Sequence, residues 1–259
     1  MPIHKSNGLT YLTFDLFDNY QIKHGVFMRH GGVSPSPWQS LNMATSVGDS
    51  KENVIENRTR VARAMNNNEN TFFDVWQIHS NHVIAADKPR LPGQPHSKAD
   101  AIITNKKKIN LLMLFADCVP IFLFDINKRV AALVHAGWQG TAERIITAAI
   151  NKMCKQYNCL PKNIIAGIGP AISVDHYEIG NELLGFFNES AIEIGKVIKR
   201  KNSSLFLDLK TANIMLMKQA GIIHIENINI CTASHTEDWF SHRAENKKTG
   251  RFAAMISID

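Results

Sequence analysis

Three short apolar runs lie close together near the middle of the chain: Leu111–Phe115, Ile121–Phe124 and Val130–Val134. Each has strand length, and the third is rich in the small and β-branched residues that suit a buried sheet. Two polar interruptions stand out. Asp117-Cys118 falls in the break before Pro120, and His135 follows the last apolar residue of the third run, where a Gly-containing loop begins. Strand ends of this kind hold a residue rigidly while leaving one side open to a ligand.

The remaining pattern predicts strands at Tyr11–Phe17, Gly25–Met28, Phe72–Gln77, Val83-Ile84, Ala101–Thr104, Ile164–Ile168, Ile225–Ile230 and Phe252–Ile258. Ser50 reads as the N-cap of a helix from Lys51 to about Met65, with Val54, Ile55, Val61 and Ala64 as its apolar stripe. Further helices are expected over Thr141–Tyr157, Gly180–Phe187 and Asp208–Ala220, and irregular polar segments over Arg29–Asp49 and Lys88–Ala99. Strands and helices mix without a strict βαβ rhythm. This favours an α/β layered sandwich with mixed sheets over a doubly wound nucleotide fold, and neither GxGxxG nor GxxxxGK[ST] occurs.

Composition narrows the class. With 259 residues, 44% hydrophobic and 20% charged, the chain buries one sizeable core, and no shift in composition marks a boundary, so residues 1–259 are expected to form one domain. No apolar run approaches the roughly 20 residues of a membrane helix, and the first residues lack a basic segment followed by an apolar one. A soluble, cytoplasmic protein with no membrane partner is expected. The four cysteines, at 118, 154, 159 and 231, form neither a CxxC pair nor a dense disulfide framework. The net charge of +6 raises nucleic acid as a partner, but the basic residues fall in short clusters (Lys106 to Lys108, Lys196 to Lys201, Lys247-Lys248) without interleaved aromatics. Solvated loops account for them.

His79, Cys118 and His135 are the candidate chemistry. Two imidazoles and a thiolate suit a zinc ion with an open fourth position, although separations of 39 and 17 residues match no compact zinc template. Two other readings stand beside that one. Cys118 acts as a nucleophile with His135 as general base and Asp117 or His79 as the orienting group, or all three are buried structural side chains.

A resemblance bears on the choice. HGVFMRHGGVS (24–34), SLNMATSVGD (40–49), ENRTRVA (56–62), QIHSNHV (77–83), ADAIITN (99–105), FADCVPIFLFD (115–125), VHAGWQGTAERI (134–145) and IGPAISVDHYEIG (168–180) together resemble the YfiH family, also called laccase-domain, polyphenol-oxidase-like or peptidoglycan editing factor proteins. The similarity runs from near Gly25 to the C-terminus. It implies a single-domain α/β sandwich, related to the CNF-type cysteine hydrolases, with zinc held by His79, Cys118 and His135. It further implies phosphorolysis of adenosine, inosine, guanosine and methylthioadenosine, and deamination of adenosine. Ala171 and His176 depart from the family, whose members often carry cysteine there.

Phosphorolysis requires a phosphate site, for which Arg58 and Arg29 are candidates through their fork of donors. Asn42 is a candidate for base or ribose. Gly137 and Gly140 let the loop approach a ligand or merely turn it into a helix, and Trp138 either stacks on a purine or packs in the core. Multicopper oxidases resemble one another in His-x-His pairs, and none of the eleven histidines here is spaced that way. Copper uptake at a histidine–thiolate site remains as adventitious chemistry. Two alternatives stay open: an amidase editing muramyl-nucleotide cell-wall precursors, and a nucleotide-binding protein whose zinc is closed by a fourth ligand such as His82. A monomer is expected.

Overall fold

Strands buried along their whole length need cover on both faces, and the fold supplies it in four layers. The computed structural model describes residues 1–188 and 192–259. One mixed sheet contains β1 (Ile3–Ser6), β2 (Leu9–Leu12), β3 (Ile22–Phe27), β4 (Phe72–Phe73), β7 (Asn110–Phe115) and β15 (Phe252–Ile258), in the order β1-β2-β3-β15-β7-β4. The second contains β5 (Val83–Ala85), β6 (Ala101–Thr104), β8 (Val119–Asp125), β9 (Val130–Ala136), β10 (Ile164–Ile168) and β14 (His224–Asn227), in the order β14-β10-β8-β9-β6-β5. Its central pairs are antiparallel, while β14 on β10 and β5 on β6 are parallel. The helices are α1 (Lys51–Ala64), α2 (Trp138–Ala142), α3 (Ile145–Tyr157), α4 (Leu184–Asn188), α5 (Ile194–Val197) and α6 (Leu209–Gln219).

The period of two along each strand sorts its residues between layers. On β15, Phe252, Ala254, Ile256 and Ile258 enter the core shared by the two sheets, while Ala253 and Met255 join Val61, Ala62 and Met65 of the α1 segment. On β8, Phe122 and Phe124 point into the shared core, and Ile121 and Leu123 pack with Ile146, Ile150 and Leu216 of α3 and α6. Every residue of β8, β9 and β15 is buried. Each large side chain so placed contributes roughly 1.5–3 kcal/mol relative to exposure. No helix among the described residues is long and apolar enough to cross a membrane.

Several elements differ from expectation. The strand predicted over Tyr11–Phe17 ends at Leu12 and gives way to a 3-10 turn, Asp15–Phe17, because Phe14 and Phe17 turn inward and the Phe14 amide donates to His24 Nε2 at 2.9 Å. The strand expected over Phe72–Gln77 is continuous only at Phe72–Phe73, with Trp76 forming a lone parallel bridge to Lys98, and that over Ile225–Ile230 ends at Asn227. The helix expected over Thr141–Tyr157 is two helices, with Arg144 between them at φ 61°. Over Gly180–Phe187 a 3-10 turn precedes the short α4, which runs up to the undescribed residues 189–191. Lys196 to Lys201, read as loop, is the end of α5 followed by β12 (Ile198–Lys201), the polar edge of a small sheet with β13 (Ser204–Leu207) and β11 (Glu178–Ile179). An edge strand of mostly cationic residues carries no apolar alternation to reveal it. The caps hold as read for α1, where the Ser50 side chain accepts from the Asn53 amide at 3.1 Å.

Candidate metal centre

β8 and β9 pair antiparallel with Pro120 opposite His135 and Val119 opposite Ala136. The next residues outward, Cys118 and Gly137, are therefore neighbours beyond the end of the ladder. A Cβ built on Gly137 would lie 2.9 Å from Cys118 Sγ and 3.0 Å from His79 Cδ2. Gly137 has φ −79° and ψ 179°, so glycine is needed there for space, not for conformation. Asp117, at φ 82°, makes the bend that brings Cys118 to this point.

His79 arrives on a loop held from two sides. The side chain of Gln77 pairs with the Leu114 backbone, its Nε2 donating to the carbonyl at 2.8 Å and its Oε1 accepting from the amide at 2.9 Å. Asp100, fully buried just ahead of β6, gathers the rest. Its carboxylate accepts from the backbone amides of Ile78 (3.2 Å), His79 (3.0 Å) and Ser80 (2.7 Å), from Ser80 Oγ (2.8 Å) and from His135 Nδ1 (2.9 Å). This web stabilises His79 at φ 61°. It also sets the tautomer of His135: an ionised carboxylate only accepts, so Nδ1 carries the proton and Nε2 is the nitrogen left for a ligand.

The ligand atoms of His79, Cys118 and His135 lie within 4.8 Å of one another, and Cys118 Sγ is 4.0 Å from His79 Nε2. Bonds to a tetrahedral zinc of about 2.0–2.3 Å place ligand atoms roughly 3.3–3.8 Å apart, so the donor set fits such an ion once the side chains close in by up to about an ångström. His79 is exposed, Cys118 half-buried and His135 buried. Burial opposes ionisation of the Cys118 thiol, but His135, and after it His79, outweigh burial and draw it down to about 6. Burial likewise disfavours the charged His135, yet Cys118 and then Asp100 raise it to about 9. Asp100 sits at about 2: burial pushes it up, and His135 with Ser80 pulls it further down. In the metal-free site these directions describe a Cys118 thiolate facing a protonated His135, so a metal ion bound there would displace the Nε2 proton.

All three residues line a cavity of about 330 Å³, together with Arg58, Asp74, Trp76, His96, His242 and Arg251. The other expected residues fall differently. Arg58 lines the cavity, with Nη1 on Asp74 Oδ2 at 2.7 Å. Arg29 does not: its guanidinium lies over the Phe240 ring and donates to Gln39 O, Thr236 O and Glu245 Oε1, clamping the C-terminal loop. Asn42 is fully buried, donating to Ala44 O and Asp49 Oδ2 and accepting from the Ala44 and Arg251 amides. Asn42 has every side-chain polar atom engaged within the fold, Arg29 is turned into the C-terminal loop, and neither is among the residues lining the metal cavity, so the geometry lends no support to the substrate roles expected for them. Trp138 packs against the helix-side core and meets Phe186 edge-on at 5.5 Å, away from the cavity. Asp117 turns its carboxylate to Thr232, Ser241 and the Arg243 amide, each at 2.7 Å. The group orienting His135 is therefore Asp100, not Asp117. Exposed His82 is outside the three-residue group, and Cys231 lies instead 3.6 Å from His176 Nδ1.

Asp100, Asp74, Trp76, Arg90 and His96 were not singled out by sequence. A carboxylate directly before the apolar strand Ala101–Thr104 was the one available signal for Asp100.

The chain is similar to proteins of known sequence and structure. Residues 23–259 match the family model described as multi-copper polyphenol oxidoreductase laccase. The chain is 29% identical over 250 residues to YlmD of Bacillus subtilis, named a purine nucleoside phosphorylase, covering 93% of this chain and 90% of the relative. It is 34% identical over 238 residues to a purine nucleoside phosphorylase of Corynebacterium glutamicum, covering 92% and 95%. The crystal structure of the Bacillus licheniformis hypothetical protein YfiH superposes with a TM-score of 0.93 at 28% identity, covering 100% of this chain and 99% of that one. The chain belongs to the YfiH, or laccase-domain, family.

Proposed function

We propose that the protein is a zinc-dependent purine nucleoside phosphorylase, acting on adenosine, inosine, guanosine and methylthioadenosine, with adenosine deamination as a second activity of the same centre. One observation carries the reading: two imidazoles and a thiolate from three separate segments meet on the wall of a cavity, with the tautomer of His135 set by Asp100. The relatives named purine nucleoside phosphorylases support the substrate class.

In phosphorolysis an oxygen of phosphate bonds to the ribose C1′ as the C1′–N9 bond breaks. The bond's electron pair leaves with the purine, which gains the proton phosphate gives up. When bound, zinc supplies Lewis-acid charge at this wall, useful both for a departing purine and for water directed at C6 of adenosine. His79, Cys118 and His135 would hold it, and no fourth His, Cys, Asp or Glu joins them among the described residues. Asp100 keeps the His135 proton on Nδ1, and Gly137 leaves the space. Trp76, 52% exposed on the cavity, offers a flat face for a purine.

A second reading rests on the same contacts. Cys118, His135 and Asp100 stand in nucleophile, base and orienter order, as a cysteine amidase acting on a muramyl-nucleotide precursor requires. Metal analysis followed by incubation with adenosine, with and without phosphate, separates the two. Adenine appearing only with phosphate, and lost with zinc in Cys118→Ala, is the expected result. Turnover that survives removal of the metal overturns the zinc reading, and release of an amino acid from a muramyl-peptide nucleotide by metal-free protein favours the amidase.

A further inference from the structure

Beyond Asp74 lies a second cavity, of about 660 Å³, lined by α1 and the segment around Arg90 to His96. Thr45, Arg58, Asp74 and His96 line both cavities, so the two meet at this wall. Asp74 is the one carboxylate among the residues lining the second cavity, facing the cations Lys51, Arg58 and Arg90 and the imidazole of His96. It is buried and accepts from Arg58 Nη1 at 2.7 Å, Arg90 Nε at 2.6 Å and His96 Nε2 at 3.1 Å. A single carboxylate balances a single guanidinium, and the remaining positive charge has no counterion in the wall. Donors remain as well. Arg58 Nε and Nη2 reach Met43 O only at 3.3 Å, and among the described residues Arg90 Nη2 makes no hydrogen bond. Paired guanidiniums with spare donors and net positive charge are the chemistry that recognises a tetrahedral oxyanion.

We propose that inorganic phosphate, the second substrate of phosphorolysis, loads through the second cavity and is held by Arg58, Arg90 and His96, while the nucleoside occupies the metal cavity. This rests on the phosphorylase reading. Asp74 is a positioning residue: its two oxygens hold the guanidiniums side by side across the boundary between the cavities. Arg58 faces both chambers, which places the bound oxyanion beside the nucleoside it must attack.

Arg90 lines only the second cavity, so Arg90→Gln tests the assignment. The KM for phosphate should rise about 10-fold or more, as expected for loss of a charge-assisted contact, while the KM for nucleoside moves less than about twofold. Arg90→Lys should recover part of the loss. Lys51→Gln, an exposed change that spares the fold, should raise the phosphate KM by a smaller factor. Titration calorimetry of zinc-loaded protein with inorganic phosphate gives the readout independent of turnover. Binding weakened by Arg90→Gln supports the subsite even if no phosphorolysis is found, an outcome that would sink only the phosphorylase reading. An unchanged phosphate KM and affinity in Arg90→Gln, or equal losses for both substrates, overturns the proposal.

Discussion

Asp100→Asn reaches the metal centre without touching a ligand, and its cost follows from the hydrogen bonds. Asp100 Oδ1 accepts from the His79 amide and His135 Nδ1, and Oδ2 from the Ile78 and Ser80 amides and Ser80 Oγ. Asparagine offers one oxygen and one NH₂ in their place. With the NH₂ on the Oδ2 side, two backbone donors face another donor. With it on the Oδ1 side, the His79 amide and the His135 proton do. Each buried donor left without an acceptor costs about 1–3 kcal/mol, so the metal-free protein should lose roughly 2–6 kcal/mol of stability. In the second orientation relief comes from moving the His135 proton to Nε2, which blocks the nitrogen a metal needs. Loss of such an outer contact lowers metal affinity about 10- to 100-fold. Chelator competition measures zinc affinity, and thermal unfolding of the metal-free protein measures the fold. A variant that binds zinc within about twofold of wild type and melts at the same temperature would show that Asp100 does not organise the site.

Gly137→Ala should cut zinc affinity at least tenfold with little change in far-UV circular dichroism, because the new methyl meets Cys118 Sγ at 2.9 Å and the His79 ring at 3.0 Å; wild-type affinity would mean that this approach is not tight in solution. Trp76→Ala should raise the nucleoside KM about 5- to 100-fold, the worth of stacking one base on an aromatic ring, and steady-state kinetics showing no change would remove Trp76 from the purine contact. The Asp100 carboxyl is held at about 2, below its ordinary 3.8, so its contribution of about 2 kcal/mol is present above pH 4 and lost as pH falls toward 2. Denaturant unfolding of the metal-free protein should therefore show the gap between wild type and Asp100→Asn closing over that range; a gap that stays constant with pH contradicts the assignment.

The strands that carry the centre were readable from the chain. Leu111–Phe115, Ile121–Phe124 and Val130–Val134 lie within β7, β8 and β9, because continuous apolar runs of only four or five residues are too short for a buried helix and suit a sheet covered on both faces. The edge strand Ile198–Lys201 and the break at Arg144 were not readable: one is polar, and the other depends on a local φ of 61° that side-chain pattern does not encode.

Residue type alone marked His79, Cys118 and His135 as able to hold a cation, since imidazole and thiolate donors are properties of the side chains themselves. Their meeting, and the identity of the group that aims them, belong to the tertiary structure. Asp100 and Asp117 are both carboxylates beside apolar strands, but the loop carrying His79 folds over one of them, and Ser241 and Thr232 close over the other. The same holds for the arginines. Arg29 and Arg58 are equal in charge, and only long-range packing turns the first into the C-terminal loop, where Nη1 meets Thr236 O and Glu245 Oε1, and leaves the second at a cavity wall. Local sequence sets which groups a chain owns; contacts between residues far apart along it set which of them still face a ligand after folding.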